Sequence, residues 1–412
     1  MPSFFSPALE PSAVHGREAE LSALAELLSA RRRVVVHGPA GIGKTTLAAA
    51  AARRWREAGE AQQVIYLSLA SCADAAWVVD AMGVLLTGPE FSALPRERRL
   101  PAVLKAVSSR PMVVVWDHLD RVLSSPWSGG LAALRPILEL GVELTQAGRT
   151  RLIVVDREGD LGYVPYQPSR RVEVFGVGPL DAAGAGALAV GAAPALAERA
   201  VDAAGGNPLA LRVLLAGGAG APLMKGEPGD PLERALGRFW ATLDESTRLG
   251  VSTLAPQLDG AVEDAWRSVS GADSDHSPVW MSLLERTGLA QGAPVPGVGR
   301  YVSFHDGLTA FLRPRVDARA LAGAEERHRR TYMALAYEWS GGGSPWYPAL
   351  VLRELPNLLV AFARTLEHDH DHVAALVDAL QELLGPPPPE APTLIERVLS
   401  TAEALDLAGV VG

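Results

Sequence analysis

Cysteine is almost missing from this 412-residue chain. Cys72 stands alone, so no intrachain disulfide can form, and no Cys/His cluster has zinc-site spacing. Lysine is nearly as scarce: Lys44, Lys105 and Lys225 are the only three among 38 basic residues. A lysine at a motif position is therefore hard to attribute to background. Positive charge is not in excess either. The formal net charge of -9 argues against a surface that generally coats DNA or anionic membranes. The N-terminal MPSFFSPALEPS has neither the basic nor the apolar region of a signal peptide. The longest weakly apolar stretch, residues 182–197, is Ala/Gly-rich and reads as small-residue helices, not a membrane span. A reducing, cytoplasmic location without membrane contact is the expectation. What remains is ordinary for a soluble globular protein: 48% hydrophobic and 21% charged residues, enough chain for about two to four domains. The Arg- and Ala-heavy, Lys-poor composition resembles that encoded by GC-rich bacterial genomes.

One stretch organises the rest. The apolar run Val34-Val35-Val36 stops at His37 and gives way to Gly38-Pro39-Ala40-Gly41-Ile42-Gly43-Lys44-Thr45-Thr46, followed by the Ala-rich run 47–52. Strand, G-x-x-x-x-G-K-[ST], helix is the context in which this motif cradles phosphate. Glycines let backbone N–H groups point inward, and the helix N-terminus adds partial positive charge. Gly38, Gly41, Ile42, Gly43, Lys44, Thr45 and Thr46 are the expected phosphate contacts, with Lys44 reaching the β/γ-phosphates and Thr45 taking Mg²⁺.

Further apolar runs at 64–69, 112–116, 152–155 and 172–175 suit buried parallel strands, and helical patterns at 77–86, 99–107 and 131–145 lie between them. This alternation predicts a doubly wound α/β domain with its ligand at the carboxyl ends of the strands. The run VVVWD ends on Asp117, and a carboxylate at a strand end is what a hard dication requires. Asp117 and Thr45 are the candidate Mg²⁺ residues.

These motifs and their order resemble those of STAND-class P-loop NTPases, the signalling ATPases that include the NB-ARC and NACHT groups. The segment G-R-E-x-x-L at 16–21, just upstream of the P-loop, is similar to their entry helix. The resemblance implies that Val14, His15 and Arg17 lie on the adenine side. The D-H-L-D run from Asp117 resembles their paired acidic element and implies that Asp120 polarises the attacking water. Arg157, ending RLIVVDR, falls where those families place a γ-phosphate-sensing arginine, with Asp156 in place of the usual hydroxyl residue. His118 and Arg121 stand where acids are usual, so slow hydrolysis is expected. In G-G-N-P at 205–208, Pro208 matches a proline that packs on adenine from a small helical domain. Phe304-His305-Asp306 falls where NB-ARC proteins carry M-H-D, which implies that His305 bonds the β-phosphate of ADP.

The expected organisation is a leader (1–12), an α/β P-loop NTPase domain (13–176), a small all-α domain (177–228), a winged-helix domain (229–318) and a TPR-like helical sensor (319–412). The repeat-like pattern halts near Leu407, so an array cut short, or a very short one, is expected. The winged-helix segment holds 12 acidic residues against 8 Arg and no Lys, which argues against DNA binding. The resemblance, spanning about residues 13–385, implies an ATP/ADP switch. ADP would hold it closed, a signal on the C-terminal helices would trigger exchange, and the ATP form would self-oligomerise. The alternatives from other classes are an AAA+-type motor and a DNA-binding transcription regulator that has lost its effector.

Overall fold

The structure, a computed structural model, describes residues 14–157, 172–217, 229–271, 276–296, 298–385, 392–405 and 407. The expected leader, residues 225–228 of a linker and a proline break at 386–389 lie outside them. Five strands, β1 (Arg33–His37), β2 (Gln63–Ser68), β3 (Met112–Asp117), β4 (Thr150–Asp156) and β5 (Val172–Gly176), form one parallel sheet in the order β2-β3-β4-β1-β5. In β1 to β4 side chains alternate between two buried faces, which is why those strands read as nearly continuous apolar runs, whereas the edge strand β5 is open, with Val174 exposed. Val34, Val36, Tyr66, Val113, Val115, Ile153 and Val155 face α1 (Glu18–Ala30) and α2 (Lys44–Glu57). Val35, Ile65, Leu67, Val114, Trp116, Leu152 and Val154 face α3 (Ala75–Thr87), α4 (Arg96–Ser108) and α6 (Leu131–Ala147), with α5 (Leu119–Ser124) following β3 directly. The alanines 48–52 are buried on α2, and their small side chains let it lie close on the sheet. The α/β layer expected for the N-terminal third is thus present, each strand within two residues of its expected ends.

Three short helices follow: α7 (Ala182–Leu188), α8 (Pro194–Ala204) and α9 (Pro208–Ala216). Next come α10 (Pro231–Thr242), α11 (Glu245–Ser252), α12 (Glu263–Ser270) and α13 (His276–Thr287). They pack with an antiparallel sheet of β6 (Gly260–Val262), β8 (Gly299–Phe304) and β7 (Ala290–Val295), β8 lying in the middle. After α14 (Asp306–Leu312), the chain ends in α15 (Ala318–Ser340), α16 (Tyr347–Thr365), α17 (His370–Leu384) and α18 (Leu394–Ala404). α15 begins at Ala318 because Asp317 caps it through Arg319 N and Ala320 N.

The C-terminal helices fold back onto the α/β domain. α16 is buried on nearly every side, and Trp77 of α3 donates its indole N–H to Leu352 O at 2.9 Å. Arg397 of α18 pairs with Asp74, the N-cap of α3, at 2.8 Å. Arg99 donates to Leu384 O at 3.3 Å. A helix buried this completely must satisfy its polar side chains internally. Arg353 pairs with Asp259 and donates to Ser71 Oγ at 2.8 Å, so one guanidinium joins α16, the start of β6 and the loop after β2. Glu354 accepts from Val262 N (2.6 Å), Tyr332 Oη (2.9 Å) and Asn357 Nδ2 (2.8 Å). Burial pushes the Glu354 carboxyl up to about 7 despite those donors and Arg353. Asp259 sits at φ 66°, a left-handed conformation that Asp tolerates and most residues do not.

Breaking this pair leaves a buried charge without a partner. Asp259→Asn, which keeps the left-handed backbone, should cost about 3–5 kcal/mol in urea unfolding, and Arg353→Met on top of it should recover much of the loss. A single-variant loss below about 1 kcal/mol would show that the pair is solvated.

Candidate functional site

The polar residues of the α/β domain gather where β1, β3 and β4 end, because the strand interiors are apolar on both faces. Gly38 leaves β1 at φ 151°, Gly41 takes φ 72° and Gly43 φ 98°, immediately before α2. A side chain on Gly38 would meet Val177 O at 2.7 Å, and one on Gly41 would meet Asn207 Oδ1 at 2.9 Å. Only glycine therefore passes both the backbone angle and the space at these two positions. The N-terminus of α2 has Gly43 as its cap and, among the described residues, no side-chain cap on its first amides. By contrast Asp74, Asp181, Asn207 and Asp230 cap α3, α7, α9 and α10. The amides of α2 are left for an anion.

Lys44 lies in the first turn, its ammonium folded over the loop to Gly38 O (2.8 Å) and Pro39 O (2.9 Å). Burial lowers its pKa, against the pull of Asp117 and Asp120. Thr46 follows, half-buried. Thr45 donates its hydroxyl to Asp117 Oδ2 at 2.6 Å. Tyr66 donates to the same oxygen, and the amide of His118 donates to Oδ1 at 2.8 Å. Asp117 is 2% exposed, so each of these donors stands in for lost water. Adjacent hydroxyl and carboxylate oxygens of this kind fit a hard dication such as Mg²⁺.

Arg157 follows β4 directly. Its Nε lies 3.0 Å from Asp120 Oδ2, and a terminal nitrogen lies 3.2 Å from Asp306 Oδ2 at the start of α14. Asp120 and Arg157 are thus brought together, but paired with each other. Burial raises the Asp120 carboxyl, and Arg157 opposes it. Burial would raise Asp306 also, yet His118, Arg121, His305 and Arg157 hold it down at about 2. His118, a third exposed at φ 61°, lies 3.2 Å from Ser68 Oγ by Nδ1. Burial would lower its pKa, but Asp117, Asp306, Asp259 and Asp120 raise it.

His305 caps α14, its Nδ1 accepting from Gly307 N at 3.1 Å. Burial brings its pKa down to about 4, so at neutral pH the ring is uncharged and Nε2 carries the proton. Lys44, Arg157 and His118 are among the charges acting on it, which sets it at the same end of the sheet.

The entry and helical segments close on the loop from outside. Arg17 is buried and donates to Ile42 O (2.8 Å) and Gly178 O (2.9 Å), tying the segment before α1 to the P-loop and to the exit of β5. Val14 is half-buried against the α1/α2 core, and His15 is exposed. Asn207 donates to Ala40 O at 2.9 Å, Leu209 N donates to Gly41 O at 3.3 Å, and Pro208 sits beside Gly43. Tyr66, Ser68, Asn207 and Asp306 join the site without having been marked as site residues by sequence. Asn207 was readable as an N-cap ahead of a first-turn proline. Nothing in the spacing marked Tyr66.

The unfolded-chain imidazole of His305 takes a proton near 6.5, whereas the folded one resists until about 4. Protons therefore favour the unfolded chain between those values, and the stability owed to a neutral His305 is lost as pH falls through that window. His305→Asn keeps a capping oxygen but removes the titration. Its stability, measured by urea unfolding from pH 7 to 4, should fall less steeply than that of the unaltered protein. Equal slopes would contradict the assignment.

Residues 13–155 match the family described as AAA ATPase domain. No curated protein matches the chain. Among solved structures, a signal transduction ATPase with numerous domains and a tetratricopeptide repeat sensor from Pyrococcus horikoshii is similar over 98% of this chain. The identity is 16% and the TM-score 0.49, and the match takes in 64% of that protein's length. The Orc1 protein of Aeropyrum pernix in complex with DNA is similar over 78% of this chain and 95% of its own, at 18% identity and TM-score 0.41. A Walker-type ATPase of Pyrococcus abyssi is similar over 75% of this chain and 99% of its own, at 14% identity and TM-score 0.39. With the glycine loop, Lys44, Thr45 and Asp117 assembled at the sheet end, the family match makes residues 13–155 a P-loop ATPase domain.

Proposed function

We propose that the chain is an ATP/ADP-operated switch of the STAND type, held closed by ADP. The observation that carries this reading is the bridge from Arg157 to both Asp120 and Asp306, which ties α14 to the phosphate end of the sheet. The α2 amides and Lys44 would hold the nucleotide phosphates, and Thr45 and Asp117 would hold Mg²⁺. When bound, that ion neutralises charge on the β- and γ-phosphates. Val14, Arg17 and Pro208 would border the base, with His15 at its solvent edge. His305, neutral with a proton on Nε2, would donate to the β-phosphate of ADP in the closed form.

A γ-phosphate is an anion that competes with Asp306 and Asp120 for Arg157. ATP would thereby weaken the tie to α14 that ADP leaves intact. A ligand shifts such an equilibrium only by its differential affinity, about 10⁴-fold for a swing from 1:99 to 99:1. Two contacts that differ between nucleotides, Arg157 and His305, supply a source for that difference. α10–α13 with the β6-β8-β7 sheet would form the winged-helix unit, and its acidic composition supports a latch and not a DNA reader. The C-terminal helices, bonded to α3 through Trp77 and Arg397, would receive the trigger, and release would permit self-assembly. Asp120, engaged with Arg157 in the closed form, supports slow turnover.

His305→Ala should weaken ADP binding about tenfold, the loss of one hydrogen bond to a charged group, and should raise the oligomeric fraction at saturating ADP. Isothermal titration and light scattering read the two effects, and no change in either would overturn the latch. Denaturing the purified protein should release ADP. Fast turnover stimulated by DNA or another polymer would favour an AAA+-type motor instead.

A further inference from the structure

We infer that Tyr66 is a positioning residue for the Mg²⁺-binding carboxylate Asp117, an inference that rests on the proposed role of Asp117 and Thr45. β2 is the edge strand beside β3, and their parallel register sets Tyr66 opposite Val115 and Ser68 opposite Asp117. Alternation turns Tyr66 toward the α2 face, the face on which Thr45 lies. The phenol is 2% exposed in the apolar cluster on this face, with Val115 opposite it on β3, a setting in which a hydroxyl must find a partner. Its partner is Asp117 Oδ2, the oxygen that also accepts from Thr45 Oγ1 at 2.6 Å.

The distribution of donors over the carboxylate gives the consequence. Oδ2 accepts two hydroxyl protons and Oδ1 accepts the amide of His118 at 2.8 Å, so the carboxylate plane is held from α2, β2 and its own strand end. Thr45 spends its proton on Asp117, which leaves the Thr45 lone pairs for a cation. Tyr66 supplies no ligand; it keeps Asp117 from rotating and keeps Oδ2 turned to Thr45. Hydrogen-bond partners of ligating carboxylates are commonly worth about 10–100-fold in metal affinity. Phenylalanine fills the same volume without the hydroxyl, so Tyr66→Phe isolates the bond.

The test is the Mg²⁺ midpoint for binding of a fluorescent ADP analogue, measured alongside its affinity in EDTA and the melting temperature. Tyr66→Phe should raise the Mg²⁺ midpoint about tenfold or more, with the EDTA affinity little changed. In an Asp117→Asn background, Tyr66→Phe should add nothing further. An unchanged or lower midpoint, or additive effects in the double variant, would overturn the positioning role. A loss of EDTA affinity equal to the midpoint shift would assign Tyr66 to packing and overturn it too. If the unaltered protein binds the analogue with no Mg²⁺ dependence, the reading of Asp117 and Thr45 as the metal site fails instead.

Discussion

A carboxylate cannot sit at the closed end of a buried strand without donors to replace its water, and the arrangement around Asp117 follows from that requirement. Its two oxygens take protons from Thr45, Tyr66 and the amide of His118, one from each of three elements. Those three donors bring the first turn of α2, the edge strand β2 and the turn into α5 to one point. The interior of the sheet excludes polar groups from both faces, so every charge of the ATPase domain that matters to chemistry is displaced to this end. Concentration of charge there is a consequence of how completely the strands are buried.

Around that point the charges are paired across long sequence distances. Arg157 joins Asp120, three residues after Asp117, to Asp306, which belongs to a later part of the chain. Asp306 stays ionised because the neighbouring His118, Arg121 and Arg157 outweigh its burial. Such a pair is stable while nothing anionic competes for the guanidinium, and a terminal phosphate is such a competitor. The second buried network, Arg353 with Asp259 and Ser71, ties the C-terminal α16 to the loop that leaves β2. Asp259 is also among the charges that raise the pKa of His118, the residue next to Asp117.

Much of the ATPase domain was legible in the sequence. A glycine loop between an apolar run and an Ala-rich helix has one well-defined geometry, and Gly38, Gly41 and Gly43 adopt the positive φ values that geometry needs. Apolar runs of three to six residues gave strand positions, because in β1 to β4 both sheet faces are covered and polar residues are confined to the strand ends. Helix starts were less legible: α15 begins where Asp317 caps it, a signal carried by one side chain and its neighbours' amides.

The sequence by itself determined the glycine loop, the carboxylate that ends β3 and the alternating order of strands and helices, since each depends on residues within a few positions of one another. Tertiary structure alone decided that Tyr66 would share Asp117 with Thr45, that Arg157 would be held by Asp306, and that α16 would bury Arg353 against Asp259. Those partners lie 51, 149 and 94 residues apart. Neither strand register nor helix docking is written in local spacing. They are set by which apolar faces meet, and the polar pairs form only where that packing brings them within reach.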